Sequence, residues 1–182
     1  MEKSWNYIHY YIYLFERRAS KIITYPIEFI FDLIYKLPFI SKGLNKRGSS
    51  RIHLKEATDN AMNNLEYGQN ITIAGIQMGG ILVLLQYSIF NLIQAILGKS
   101  LKQYIWEDSL NKWIFLIGLL VIPAIINYHL LWKEDKYLTY FKKFEKEPKA
   151  IKRKWAWISF GVVVGIILLF IASFWIMIKA FQ

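Results

Sequence analysis

The chain has 182 residues, of which 55% are hydrophobic and 17% aromatic, and its formal net charge is +10. Both fractions are high for a soluble domain and the excess lies in long apolar runs, which indicates an all-α integral membrane protein. The lack of cysteine excludes disulfides, thiolate metal sites and a cysteine nucleophile. The scattered His9, His53 and His129 do not have the spacing of a metal site, and we expect no metal or cofactor.

Residues 1–40 are predicted to form amphipathic interfacial helices. One helical stripe consists of Trp5, Ile8, Ile12, Phe15, Ala19 and Ile22. Pro26 is typical of a first helical turn and predicts a second helix that starts there and ends at Pro38. Two arrangements stay open: the helices lie in the membrane interface, or they dock on the cytoplasmic ends of the spans or on a partner. A re-entrant hairpin is disfavoured because Glu28 and Asp32 would be costly in hydrocarbon.

Residues 41–70 are predicted to be a cytoplasmic linker followed by a polar helix. The stretch "SKGLNKRGSSR" has the composition of a linker. The following "RIHLKEATDNAMNNLEY" has apolar residues at near-helical spacing, and Ser50 is available as its N-cap. The beginning of the chain has neither a basic segment before a clean apolar core nor a small-residue cleavage site. We therefore expect no cleaved signal peptide.

Three apolar segments are predicted to be transmembrane helices, at 71–97, 113–132 and 155–178. At a rise of about 1.5 Å per residue the first would be about 40 Å long, against a hydrocarbon core of about 30 Å. It must therefore tilt, kink or protrude from the bilayer. The connecting segments are an external loop at 98–112 and a basic cytoplasmic loop at 133–154.

The orientation follows from the distribution of Lys and Arg. The 133–154 segment holds nine basic and four acidic residues, whereas the 98–112 loop holds three Lys. Basic residues accumulate on the cytoplasmic side of membrane proteins. We therefore expect 1–70 and 133–154 to lie in the cytoplasm of a cell whose inner membrane holds the spans, with the C-terminus external.

Glycines and amides in the spans predict helix contacts. Gly75 and Gly79 form a small-xxx-small pair in "GIQMG", and Gly161 and Gly165 repeat it in "GVVVG". Such pairs allow close helix crossings, within one subunit or between subunits. The predicted packing or oligomer residues are Gly75, Gly79, Gln86, Gly161 and Gly165.

A second set of polar residues predicts either a polar interface or the lining of a pore. An amide in hydrocarbon must find a partner, so these residues indicate contact with protein or water. They are Gln77, Ser88, Asn91, Asn127 and His129. Pro123, in the second span, predicts a kink.

Basic residues next to the spans predict contact with anionic lipid. They are Lys42, Lys46, Arg47, Arg51, Lys152, Arg153 and Lys154. In a chain with membrane spans such charges are typical of cytoplasmic loops, and we do not expect nucleic acid as a partner.

Enzymatic signals are weak, since phosphate-binding loops, HExxH and nucleophile elbows are absent from the sequence. Arg47 stands six residues before His53, a spacing that resembles the Arg-x(4–6)-His of HEPN-type RNases. The likeness covers seven residues, lacks the polar residue usually beside the Arg and lies in a Gly-Ser stretch. We therefore treat it as chance.

The sequence thus favours a non-enzymatic packing or assembly subunit of a membrane complex, either homo-oligomeric or part of a larger assembly. The alternative is an oligomeric pore or channel, including a triggered defence-type effector that permeabilises a membrane. A nuclease at Arg47 and His53 is the third hypothesis.

Overall fold

The computed structural model describes residues 1–46 and 51–182, which are 89% helical and contain no strand. A π-helical turn at Tyr128–Trp132 and a 3-10 turn at Lys133–Asp135 join the sixth helix to the seventh. The helices in chain order are α1 (Glu2–Tyr35), α2 (Pro38–Lys46), α3 (Arg51–Asn63), α4 (Gln69–Leu97), α5 (Lys102–Trp106), α6 (Ser109–Asn127), α7 (Lys136–Glu145) and α8 (Lys149–Ala180).

Three helical stretches among the described residues are long and apolar enough to cross a membrane: Gln69–Leu97, Ser109–Glu145 and Lys149–Ala180. The all-α prediction with three potential spans is confirmed to this extent. The third stretch starts before the apolar run predicted at 155–178, because the basic residues of "KAIKRK" continue the same helix.

The predicted helix start at Pro26 is wrong, because α1 runs without interruption from Glu2 to Tyr35. An internal proline removes one backbone hydrogen bond and strains the helix. The part of α1 that follows Pro26 forms two ion pairs with α3: Asp32 pairs with Arg51, and the Glu28 carboxylate lies 3.7 Å from Lys55 Nζ. Pro38 occupies the first position of α2, where proline is favoured.

The chain forms two compact units, one made of Met1–Tyr10 with Ile76–Gln182 and one made of Tyr11–Gly75. In the second unit α1 and α3 run antiparallel, since the ion pairs join later residues of α1 to earlier residues of α3. The turn before α4 needs a glycine at position 68: a Cβ there would lie 2.3 Å from the carbonyl oxygen of Asn64.

In the first unit the helical chain is kinked between α6 and α7. α6 continues past the buried Pro123 to Asn127, and the regular helix is lost only in the π-helical turn beyond it. Side chains satisfy carbonyls of that turn: Asn6 Nδ2 donates to the Leu130 oxygen at 2.9 Å, and Lys136 Nζ to the His129 oxygen at 3.2 Å. Glu134 and Asp135 then adopt left-handed conformations, with φ of 58° and 51°, which redirect the chain into α7.

Candidate functional surfaces

The buried amides of α4 are used within the chain. Asn91 Nδ2 donates to Ser173 Oγ of α8 at 3.1 Å, and that hydroxyl donates to the Phe170 carbonyl at 2.7 Å. Ser88, also buried, donates to the carbonyl of Leu84 at 2.7 Å. Ser88 and Asn91, which were predicted to line a pore or a polar interface, are therefore buried inside the first unit.

Gln94 makes a second contact between the same two helices, one turn further along each. Its Nε2 lies 3.4 Å from the sulfur of Met177, and its Oε1 accepts from the backbone N–H of Leu101 at 2.9 Å. The amide thereby joins α4, α8 and the segment before α5. No pattern in the sequence predicts this role of Gln94, because Met177 is distant from it along the chain.

Two other glutamines of α4 have different surroundings. Gln77 is an exposed residue of α4. Gln86 is half-buried, and its Oε1 is a buried oxygen without a hydrogen-bond partner among the described residues. An unpaired buried amide oxygen costs free energy, which an additional donor would recover.

The two predicted glycine pairs differ in their surroundings. A Cβ on Gly79 would lie 3.9 Å from Asn127 Nδ2, so this position faces α6 within the first unit. Cβ atoms on Gly161 and Gly165 would have no neighbour within 4 Å in the part of the chain that the structure describes. The half-buried Gly75 belongs to the second unit.

The exposed glycines of α8 lie away from its internal contacts. One side of α8 holds the residues that are buried or in contact with α4, among them Ser159, Phe170, Ser173 and Met177. At about 100° per residue, Gly161 and Gly165 fall on the other side of the helix. Most of this potential span is exposed, since only 6% of its apolar stretch is buried against the rest of the chain.

Asn127, at the end of α6, contacts residues of both α1 and α4. Its Oδ1 accepts from the indole N–H of Trp5 at 2.9 Å, while its Nδ2 faces Gly79. His129 is exposed at the following turn. The structure therefore separates two residues that the sequence had grouped as one polar surface.

An aromatic cluster that the sequence analysis missed holds the start of α1. The ring of Tyr7 is stacked between Phe144 of α7, at a centroid distance of 3.6 Å, and Trp155 of α8, at 4.1 Å. Its hydroxyl is hydrogen-bonded to the Glu147 carboxylate. The signal was available: Tyr137, Phe141 and Phe144 have the i, i+4, i+7 spacing of a helix face, within a segment that its many charges marked as a loop.

The first residues of α1 pack on other helices of the same unit. Residues 5–10 are docked on α6, α7 and α8, in contact with the segment 127–155. At the start of this helix, Glu2 accepts from Lys136 Nζ at 2.8 Å and from the Tyr140 hydroxyl at 3.2 Å. These contacts lower the pKa of Glu2, chiefly through the hydrogen bond to Lys136.

His9 is completely buried in the same cluster, among the rings of Trp132, Tyr137 and Phe141. Neither ring nitrogen has a hydrogen-bond partner among the described residues. Burial disfavours the charged imidazolium and lowers the pKa of His9 from 6.5 to about 3. The docked helix therefore requires a neutral histidine.

We expect the docking of α1 to weaken in acid because of His9. A released His9 would bind a proton near pH 6.5 and the docked one only near pH 3, so stability is full above pH 6.5 and falls as the pH drops through this window. At pH 4.5 the expected loss is about 2–3 kcal/mol, from about 1.4 kcal/mol per pH unit. Thermal unfolding in detergent at pH 7 and pH 4.5 measures it, with His9→Leu as the variant that cannot titrate. Parallel pH profiles for the wild type and His9→Leu would refute the role of His9.

The predicted lipid-binding residues that the structure describes differ in their surroundings. Lys42 and Lys46 are exposed on α2, and Arg153 and Lys154 on the start of α8. Arg51 is instead paired with Asp32, and Lys152 Nζ donates to the Glu145 carbonyl at 2.6 Å.

The RNase-like pair cannot be assembled from the described residues. Arg47 lies outside them, and His53 is an exposed side chain of α3 whose Nδ1 is 3.9 Å from Glu56. A groove of about 650 Å³ between α1 and α3 is lined by charges of both signs, among them Lys21, Glu28 and Asp59. This mixture does not select an anionic or a cationic ligand.

Comparison with known proteins gives no relative: no family model matches the chain, and no curated protein or solved structure is detectably similar to it.

Proposed function

We propose that the protein is a non-enzymatic integral membrane protein that acts as a packing or assembly subunit, with a second copy of itself as its first partner. The observation that carries this proposal is the open glycine face of α8, formed by Gly161 and Gly165. Lipid supplies no hydrophobic drive for helix association, so contacts in a bilayer depend on close packing, which paired glycines allow. The chain's own contacts occupy the other side of this helix.

The proposed location is the cell's inner membrane, with residues 1–70 and 133–154 in the cytoplasm and the C-terminus outside. Its basis is the excess of Lys and Arg in the 133–154 segment. The contacts between residues 5–10 and 127–155 support part of this topology, because they require both segments to lie on the same side of the membrane.

Gly161→Leu is expected to lower the native mass of the solubilised protein while its expression persists. The added side chain would occupy the space through which a partner helix passes, and its Cβ has no neighbour within 4 Å among the described residues. Gly118→Leu is the matched control, since Gly118 is also a glycine of a potential span with nothing within 4 Å, but it belongs to no small-xxx-small pair. Equal masses for the wild type and both variants would contradict a contact through the α8 glycines.

The second candidate function is an oligomeric pore, which the exposed amide of Gln77 favours. At about 1.5 Å per residue this amide lies about 12 Å from the start of α4, within the predicted span. In a pore, Gln77→Leu would replace a wetted amide with an apolar constriction and change the conductance of planar bilayers. An assembly subunit should give no conductance in either form, and dye-loaded liposomes should stay sealed.

A further inference from the structure

The second half of α1 exposes a wide apolar surface. Side chains that are at least 48% exposed include Ile22, Ile23, Ile27, Ile30, Phe31 and Leu33. At about 100° per residue they cover an arc of about 180° around the helix. Contiguous apolar exposure of this extent marks a surface that contacts a membrane or a protein.

The remaining arc of the same helix carries acidic residues that pair with α3. Its acidic residues, Glu28 and Asp32, pair with Lys55 and Arg51. Both pairs are about half exposed, so they contribute little to stability in water. Their effect is to neutralise the two carboxylates that would otherwise oppose contact with hydrocarbon.

A short segment of the chain joins this helix pair to a potential membrane span. α3 ends at Asn63 and α4, a potential span, begins at Gln69. Asn70 Nδ2 of α4 donates to Asn63 Oδ1 at 3.0 Å, and the Tyr13 hydroxyl of α1 donates to the Asn63 carbonyl at 3.2 Å. The residue that ends α3 is thus bonded to both α1 and the first turn of the span.

We propose that α1 and α3 form a lipid-docking hairpin, in which the apolar arc of α1 inserts among the acyl chains and α3 covers its acidic face on the water side. The inference rests on the membrane location proposed for the spans and is independent of the assembly role. A lone amphipathic helix keeps its polar face in water and stays at the interface. With its acidic face paired to α3, this helix can lie deeper.

Single cysteines with a fluorescent label test the proposal in the full chain, which has no cysteine of its own. Ile30→Cys places the label at the centre of the apolar arc. Ala57→Cys places it on the exposed side of α3, and Leu168→Cys on an exposed position near the middle of α8. In phosphatidylcholine vesicles, lipids that carry a quencher on the acyl chain report contact with hydrocarbon, and iodide reports contact with water.

The label at Ile30 is expected to be quenched by the lipid probe about as strongly as the one at Leu168, and several-fold less by iodide than the one at Ala57. Iodide quenching at Ile30 equal to that at Ala57 would overturn the proposal. Protection of Ile30 from both quenchers would also overturn it, by showing that protein covers the arc. Loss of lipid quenching at Leu168 would instead refute the membrane location itself.

The ion pairs provide a second, reversible test in the Ile30→Cys background. Asp32→Arg places two cations together and should raise iodide quenching at Ile30 several-fold, as the acidic face loses its cover. The exchange of both charges, Asp32→Arg with Arg51→Asp, should restore the protected state. If the exchanged pair stays as accessible to iodide as the single variant, α3 does not hold α1 in the way proposed.

Discussion

Tyr7→Ala is expected to detach the start of α1 from α7 and α8, with a loss of about 3–5 kcal/mol of stability. Tyr7 is fully buried and stacked on both faces, so truncation leaves a cavity between Phe144 and Trp155. Limited proteolysis in detergent measures the release of α1, and denaturant unfolding measures the loss of free energy.

Two control variants separate the ring from other effects. Tyr7→Phe keeps both stacks and removes only the hydrogen bond to Glu147, for an expected loss of about 1 kcal/mol. Phe15→Ala removes an aromatic ring from the same helix where it is 67% exposed, and should change stability little. Wild-type protease resistance of Tyr7→Ala would show that α1 does not depend on this cluster.

Gly79→Leu is expected to destabilise the first unit by about 1–3 kcal/mol, the usual cost of overpacking. A Cβ fits at 3.9 Å from the Asn127 amide, but the rest of a leucine would collide with the pair formed by Asn127 and Trp5. The protein should accumulate poorly and unfold at a lower temperature in detergent.

Gly80→Leu is the matched control for Gly79→Leu, because Gly80 is the next residue of α4 and is exposed with nothing within 4 Å. Both changes add the same side chain and the same helix propensity. If the two variants accumulate and melt alike, the contact between Gly79 and Asn127 does not support this unit.

The three potential spans were predictable because an apolar run of about 20 residues leaves few alternatives to a membrane helix. The residues on which α1 packs were not, because Phe144 lies in a segment whose charges concealed a helical stripe, and Trp155 begins a predicted span distant from α1 in sequence. The continuity of α1 through Pro26 was also hidden, since proline is typical of a first helical turn.

At the candidate surfaces too, residues with the same local sequence pattern have different tertiary contacts. The glycine pairs of α4 and α8 have the same sequence spacing, yet Gly79 faces Asn127 of the same unit and Gly161 faces open space. Likewise Gln77 and Asn91 belong to the same predicted set of polar residues, yet Asn91 is bonded to Ser173 and Gln77 is exposed. Spacing along one helix gives the face of a residue, and only the neighbouring helices determine what that face contacts.

The native mass of the wild-type protein, extracted in a mild detergent or directly in lipid discs, is the most direct test of an assembly role. We expect a protein mass of at least twice the 21.6 kDa of one chain, or one increased by a second protein that co-purifies with it. A protein mass of 21.6 kDa in both media would contradict it.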